Sequence, residues 1–140
     1  MTRCRRMADF VGRWRLERQI DDHTTGHALH FSGEAVLTPD GSDLSYAETG
    51  QLMLPGQSAV HATRTYTWRA SPGGVRVFFS DGGYFHAFDP DATCSSDRHW
   101  CDPDTYVATY SFLQWPVWQA DWRVQGPRKD YLSRSTYSRF

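Results

Sequence analysis

The segment Val60-His-Ala-Thr-Arg-Thr-Tyr-Thr-Trp68 alternates without a break between two kinds of side chain. His61, Thr63, Thr65 and Thr67 form one row, and Val60, Ala62, Arg64, Tyr66 and Trp68 form the other. Successive side chains of a strand stand on opposite faces, so a period of two demands a sheet with one wet and one enclosed face. The threonine row is the natural outer face. Arg64, Tyr66 and Trp68 are therefore expected to point inward together.

The same rhythm runs through the chain. No long stretch has helical period, and turn signals recur about every ten residues, the pattern of an all-β sandwich or barrel. A short helical turn is expected up to Phe10, then strands at Gly12–Ile20, Leu29–Leu37, Leu44–Leu54, Val60–Trp68, Val75–Phe79, Tyr84–Phe88, Thr105–Leu113, Val117–Val124 and Tyr131–Tyr137. Asp21-Asp-His-Thr-Thr-Gly26, Ser71-Pro-Gly-Gly74, Asp81-Gly-Gly83 and Gly126-Pro127 supply turn chemistry between them. Asp89 to Pro103 reads as a longer loop. About nine to ten antiparallel strands with short connections curl shut to remove their edges, so residues 1–140 are expected to form a single β-barrel domain.

Composition narrows the function classes. With a formal net charge of −1 there is no global field to attract nucleic acid, and Lys129 is the only lysine. The cluster Arg3, Arg5, Arg6 reads as a solvated N-terminal tip. Met1 to Ala8 is polar and basic with no apolar run behind it, and no stretch approaches the roughly 20 apolar residues that span a bilayer. A cytoplasmic location is the expectation. Cys4, Cys94 and Cys101 are too few and too odd in number for a disulfide framework. The spacing of Cys94 and Cys101 admits a disulfide, which a reducing cytosol disfavours. The aromatic fraction of 15% is high, and many of the rings carry a polar handle that suits a cavity wall.

Three groups of residues could carry chemistry. Leu44, Tyr46 and Glu48 share a face with Leu52 and Leu54, so Glu48 points inward beside Arg64 on the next strand. A buried unpaired charge costs several kcal/mol, so the two are expected to pair. They either anchor a polar ligand group, with Glu48 available as a general base, or form a structural ion pair that sets register. His86, His99 and Cys101 are metal-competent donors, but neither Cys-x-x-Cys nor His-x-x-x-His is present. The alternative is that Asp102 and Asp104 start the next strand through turn hydrogen bonds, with Cys101 a small buried apolar group. Finally, Tyr106, Tyr110 and Phe112 share one face of their strand, and Trp118, Trp122 and Val124 one face of theirs. Facing Tyr66 and Trp68, they form either an aromatic cage for a flat ligand or an ordinary core. Inward tyrosine hydroxyls beside Arg64 and Glu48 need polar partners, which favours a cavity. Lys129, between Arg128 and Asp130 at a turn, reads as solvated.

Two resemblances bear on this. Phe10-Val-Gly-Arg-Trp14 resembles the Gly-x-Trp opening of lipocalin-like (calycin) barrels. That likeness implies that Trp14 closes the barrel floor under a basic residue of the last strand, here Arg134 or Arg139. Over nearly its whole length the chain resembles a bacterial domain-of-unknown-function family, the one numbered 6314. The residues concerned are Phe10-x-Gly12-x-Trp14-x-Leu16-x-Arg18, Tyr46-x-Glu48-x-Gly50, Tyr66-x-Trp68, Phe85-His86-x-Phe88, His99-x-Cys101-x-x-Asp104-x-Tyr106 and Gly126-Pro127-x-Lys129-Asp130-Tyr131. The resemblance implies a fold and a family, not an activity.

The leading expectation is a small-molecule-binding barrel whose ligand meets Arg64, Tyr66, Trp68, Tyr46, His99, Asp104, Tyr110 and Trp122. The alternatives are a cofactor-independent cyclase, isomerase or lyase, with Glu48 or His86 moving protons and Tyr106 or Tyr110 donating, a metal- or haem-binding barrel in which His86 ligates haem as in nitrobindin-type proteins, and an interaction module using the Asp89–Pro103 loop. No cofactor is called for. The partners expected are a small-molecule ligand or substrate, with a homodimer open and neither nucleic acid nor a membrane involved.

Overall fold

The computed structural model describes residues 5–140. A 3-10 turn, Met7–Phe10, precedes ten strands: β1 Gly12–Asp22, β2 His27–Asp40, β3 Asp43–Met53, β4 Val60–Ser71, β5 Gly74–Phe79, β6 Tyr84–Phe88, β7 Cys94–Cys101, β8 Asp104–Ser111, β9 Trp118–Gln125 and β10 Asp130–Arg139. All ten lie in one antiparallel sheet, ordered β6-β5-β4-β3-β2-β1-β10-β9-β8-β7. The first and last strands pair along their length, from Trp14 opposite Arg139 to Asp22 opposite Tyr131, and this pairing draws the sheet into a nearly closed barrel. No helix among the described residues is long and apolar enough to cross a membrane.

The sheet ends, β6 and β7, meet at a seam bridged by side chains. Asp97 Oδ2 accepts from the Ala87 backbone N–H at 2.8 Å, and Ser95 Oγ accepts from that of Asp89 at 2.9 Å. The stretch Asp89–Pro103, expected to be a loop, is thus mostly strand β7. Its Asp and Ser residues look like turn chemistry in sequence, but on an edge strand they supply the acceptors that the missing ladder would have supplied. Arg5 also departs from expectation. It is no solvated tip, since its guanidinium donates to the Pro90 and Ala92 carbonyls at 2.8 Å each and ties the chain start to the end of the seam. Arg3 and Cys4 lie outside the described residues.

The floor of the barrel is packed with rings. Phe10 stands amid Trp14, Trp68, Phe88, Phe112, Trp115 and Trp118, with centroids 5.0–6.4 Å away, mostly edge to face. Such geometry sets the positive ring edge against the negative face. Trp14 is fully buried and donates its indole N–H to the Phe10 carbonyl at 2.8 Å. Of the two candidate clasps, Arg139 takes the position: its guanidinium lies 3.6 Å from the Trp14 ring centroid and donates to the Val11 and Asp9 carbonyls. Arg134 points outward and pairs with Asp121.

Candidate functional site

Midway up the barrel the inward row of β1 changes character. Trp14 and Leu16 are apolar and buried, and Arg18, next on the same face, is 6% exposed. Its partner is Glu48. Arg18 donates through both terminal nitrogens, at 2.7 Å to Oε2 and 3.1 Å to Oε1, while its Nε donates to Ser135 Oγ at 2.7 Å. Tyr46 donates to Glu48 Oε1 at 2.7 Å. That hydroxyl has one proton, so Tyr137, also 2.7 Å away, donates to Tyr46. The fork-to-carboxylate pair and the hydroxyl chain satisfy a buried polar network from end to end. Burial would raise the Glu48 carboxyl, but the Arg18 hydrogen bonds and charge, with help from Arg64 and Tyr46, outweigh it and hold Glu48 below the usual carboxylate range. Burial holds the Tyr46 and Tyr137 hydroxyls well protonated.

The expected Glu48–Arg64 pair is therefore replaced. The two residues do sit opposite each other in the β3–β4 register. Arg64 nevertheless stands higher, at the lip, exposed and 5.2 Å from the Trp122 ring centroid. Arg18 wins because Phe31 carries it inward, the guanidinium lying 5.3 Å from that ring. Phe31 in turn fits because Gly50 has no side chain: a Cβ there would stand 2.7 Å from Phe31 Cζ. Arg18 was detectable in sequence from its parity with Trp14 and Leu16, yet nothing in the chain says that Phe31 supports it.

Above this network the barrel is open. A mouth cavity of about 240 Å³ is lined by Arg18, Ile20, Asp22, Leu29, Arg64, Trp122, Tyr131 and Ser133. A side recess of about 80 Å³ runs between Phe31, Leu52, Ala62 and Arg64. Beneath lies a void of about 20 Å³ bounded by Tyr46, Glu48, Tyr66, Trp68, His86, Tyr110, Trp118 and Trp122, space for about one water. Short inward residues on β10, Ser133 and Ser135, leave this room. The sequence reading passed over them because serine on a strand carries no obvious signal.

His86 and Phe85 are both buried although adjacent, because a register shift in the β5–β6 pairing breaks the alternation there. His86 Nε2 pairs with the Tyr110 hydroxyl at 2.8 Å, while its Nδ1, like Trp118 Nε1, has no hydrogen-bond partner among the described residues. Burial, opposed by the Asp97 charge and aided by His99, lowers His86 to about 4, so it is neutral near pH 7. Tyr66, Trp68, Tyr110 and Trp122 thus converge on one interior with Glu48, as their strand parities foretold, and the register shift brings His86 into the same interior.

Tyr106, His99 and Asp104 are held apart from the polar network. Tyr106 sits against Phe85 and His99, and its hydroxyl is 3.5 Å from Lys129 Nζ. Lys129 is exposed, as expected of a solvated turn lysine, and its ammonium also reaches Asp104 Oδ2 at 3.3 Å; Asp104 is buried beside Gly126, where a side chain would collide with it. Cys101, expected to be buried, is exposed, because β7 turns it outward at the rim. Cys94 and Cys101 are free thiols at opposite ends of that strand. The described residues contain no group of three or more His, Cys, Asp or Glu side chains placed to hold a metal.

Comparison with known proteins places this geometry. No curated protein matches the sequence. Among solved structures, the S-type phycobiliprotein lyase CPES from Guillardia theta superposes with a TM-score of 0.66 at 11% identity, over 93% of this chain and 88% of that one. At that identity the likeness establishes a shared fold. The model of a family of unknown function, DUF6314, matches residues 10–139, and the chain belongs to that family.

Proposed function

We propose that this DUF6314 member is a small-molecule-binding barrel that admits its ligand through the mouth and seats it on the aromatic wall above the Arg18–Glu48 network. The observation that carries this reading is the contrast inside one barrel between a floor filled with rings and a mouth left open over a completed polar layer. A core built only for stability has no reason to stop filling halfway. Ligand sites are mostly apolar clefts of roughly 300–1,000 Å³ with a few placed polar groups. The mouth cavity, about 240 Å³, is somewhat smaller than that and open to solvent, and it has that character. Trp122, Tyr131, Ile20 and Leu29 supply apolar surface, and Arg64, Ser133 and the outer edge of Arg18 supply polar contacts. The structural neighbour, a phycobiliprotein lyase by name, supports the reading to the extent that a barrel of this shape can serve such a role.

Proton-transfer chemistry in the same interior is the less supported reading. Arg18 and Tyr46 occupy the oxygens of Glu48 and keep it ionised at low pH, which suits an anchor better than a general base. Native mass spectrometry of the chain purified from its own host tests the proposal. A retained mass of a few hundred daltons, lost on denaturation, is the expected result. An empty protein that also shows no thermal shift across a panel of flat apolar compounds sinks the reading.

A further inference from the structure

Of the two arginines that line the mouth cavity, Arg18 and Arg64, only Arg18 is in an ion pair with a described residue. Arg18 is tied to Glu48, Lys129 to Asp104 and Arg123 to Asp130, at 2.7, 3.3 and 2.6 Å. Asp22, the acidic residue at the lip, has Oδ1 taken by the Thr24 backbone N–H and hydroxyl at 2.9 and 2.6 Å. Arg64 makes no hydrogen bond or ion pair with a described residue. Its close ring partner is Trp122, 5.2 Å from its Cζ, and the nearest acid its charge acts on, Glu48, is already bonded through both oxygens to Arg18.

Its place in the fold makes that informative. Arg64 belongs to the inward row of β4, with Ala62 beyond it toward the start of the strand and Tyr66 and Trp68 deeper in, and it lines both the mouth cavity and the side recess. A guanidinium lying over an indole offers its face to the ring and keeps its in-plane N–H donors unspent. Those donors form a fork that matches two oxygens of one acid group. Trp122 continues from Arg64 toward Tyr66 and Phe85, 6.2 and 5.2 Å away, so the wall beside the cation is a run of rings.

We propose that the occupant of this barrel is a planar organic anion, its carboxylate or sulfonate oxygens received by Arg64 and its flat apolar body laid along Trp122. This deepens the ligand-binding reading and rests on it. Arg64 is then the specificity residue of the site: it selects the charge, and the aromatic wall selects the shape. A neutral ligand of the same shape would leave the unspent donors facing apolar surface, which disfavours it.

Two fluorescent probes with the same ring body separate charge from shape: anilinonaphthalene sulfonate, an anion, and phenylnaphthylamine, its neutral counterpart. The native protein is expected to bind one sulfonate probe per chain, more tightly than the neutral probe. Arg64→Gln is expected to weaken the sulfonate probe about tenfold, the order of a charged hydrogen bond, and to leave the neutral probe within about twofold. Equal affinity of the native protein for both probes overturns the proposal, as does an Arg64→Gln variant that weakens both alike or neither. In those cases probe binding persists and the ligand-binding reading stands. If neither probe binds the native protein, the anion proposal fails and the ligand-binding reading loses support with it.

Discussion

The two ends of this barrel obey the same alternation and reach opposite outcomes. At the floor every inward position carries a ring or an aliphatic chain, and Arg139 clasps Trp14 from outside. At the mouth the same inward rows carry Arg18, Glu48, Ser133, Ser135 and Arg64, and space remains. The sheet is continuous between them, so backbone geometry does not explain the difference. Side-chain volume and polarity along each row do. The floor is where stability is concentrated, and the middle layer spends some stability to hold charged groups in fixed positions under an open cavity.

The sharpest way to break that comparison is to remove one member from each layer. Trp14→Ala is expected to destabilise by about 3–5 kcal/mol, the usual cost of emptying a large aromatic site. Glu48→Ala should cost a similar amount, about 3–5 kcal/mol, because it strands a buried guanidinium. The two differ in what repairs them. Replacing both partners, Arg18→Met with Glu48→Leu, should restore most of the loss or exceed native stability. No second change of that kind rescues the floor. Denaturant unfolding of the three variants measures this, and a double variant as weak as Glu48→Ala would show that the pair itself stabilises the fold.

The interior histidine gives the next largest effect. Its fold-state value is about 4, against 6.5 for the free side chain. Between those values the unfolded chain binds a proton that the folded one refuses. Stability is therefore full above pH 6.5 and falls as the pH drops toward 4, by about 3 kcal/mol for this group. His86→Gln should flatten that slope relative to the native chain in unfolding measured across the window. An unchanged slope would mean that His86 reaches solvent.

The smallest effect concerns the seat of Arg18. Gly50→Ala places a methyl against Phe31 and against the Ser32 carbonyl. Loss of about 1–3 kcal/mol is expected from such overpacking, together with movement of Phe31. If so, weaker probe binding at the mouth should accompany it, since Phe31 carries the guanidinium. Native-like binding in this variant would dissociate the layer from the cavity above it.

Much of the fold was legible because strand periodicity is local. The Val60–Trp68 rows, the short turn before Gly12, and the inward sets Tyr66-Trp68, Tyr110-Phe112 and Trp118-Trp122 follow from alternation alone. The seam strand β7 was not legible, because its Asp and Ser side chains do work that depends on β6 lying beside it. The rim position of Cys101 and the grip of Lys129 on Asp104 were missed for the same reason.

By itself, then, the sequence determined the inward aromatic rows, that the chain closes as a β-barrel, and that Trp14 lies under a late arginine. Local parity suffices for the first two, and a short motif resemblance pointed to the third. Only the tertiary structure decided which inward charge meets which. Glu48 has Arg64 directly across from it in register and still bonds to Arg18, two strands away. That choice depends on a missing Cβ at Gly50, a ring at Phe31 and a short Ser135 on the last strand. The aromatic interior inferred from composition thus resolves into a filled floor, a closed polar layer and an open mouth, with Arg64 at its rim making no ion pair with a described residue.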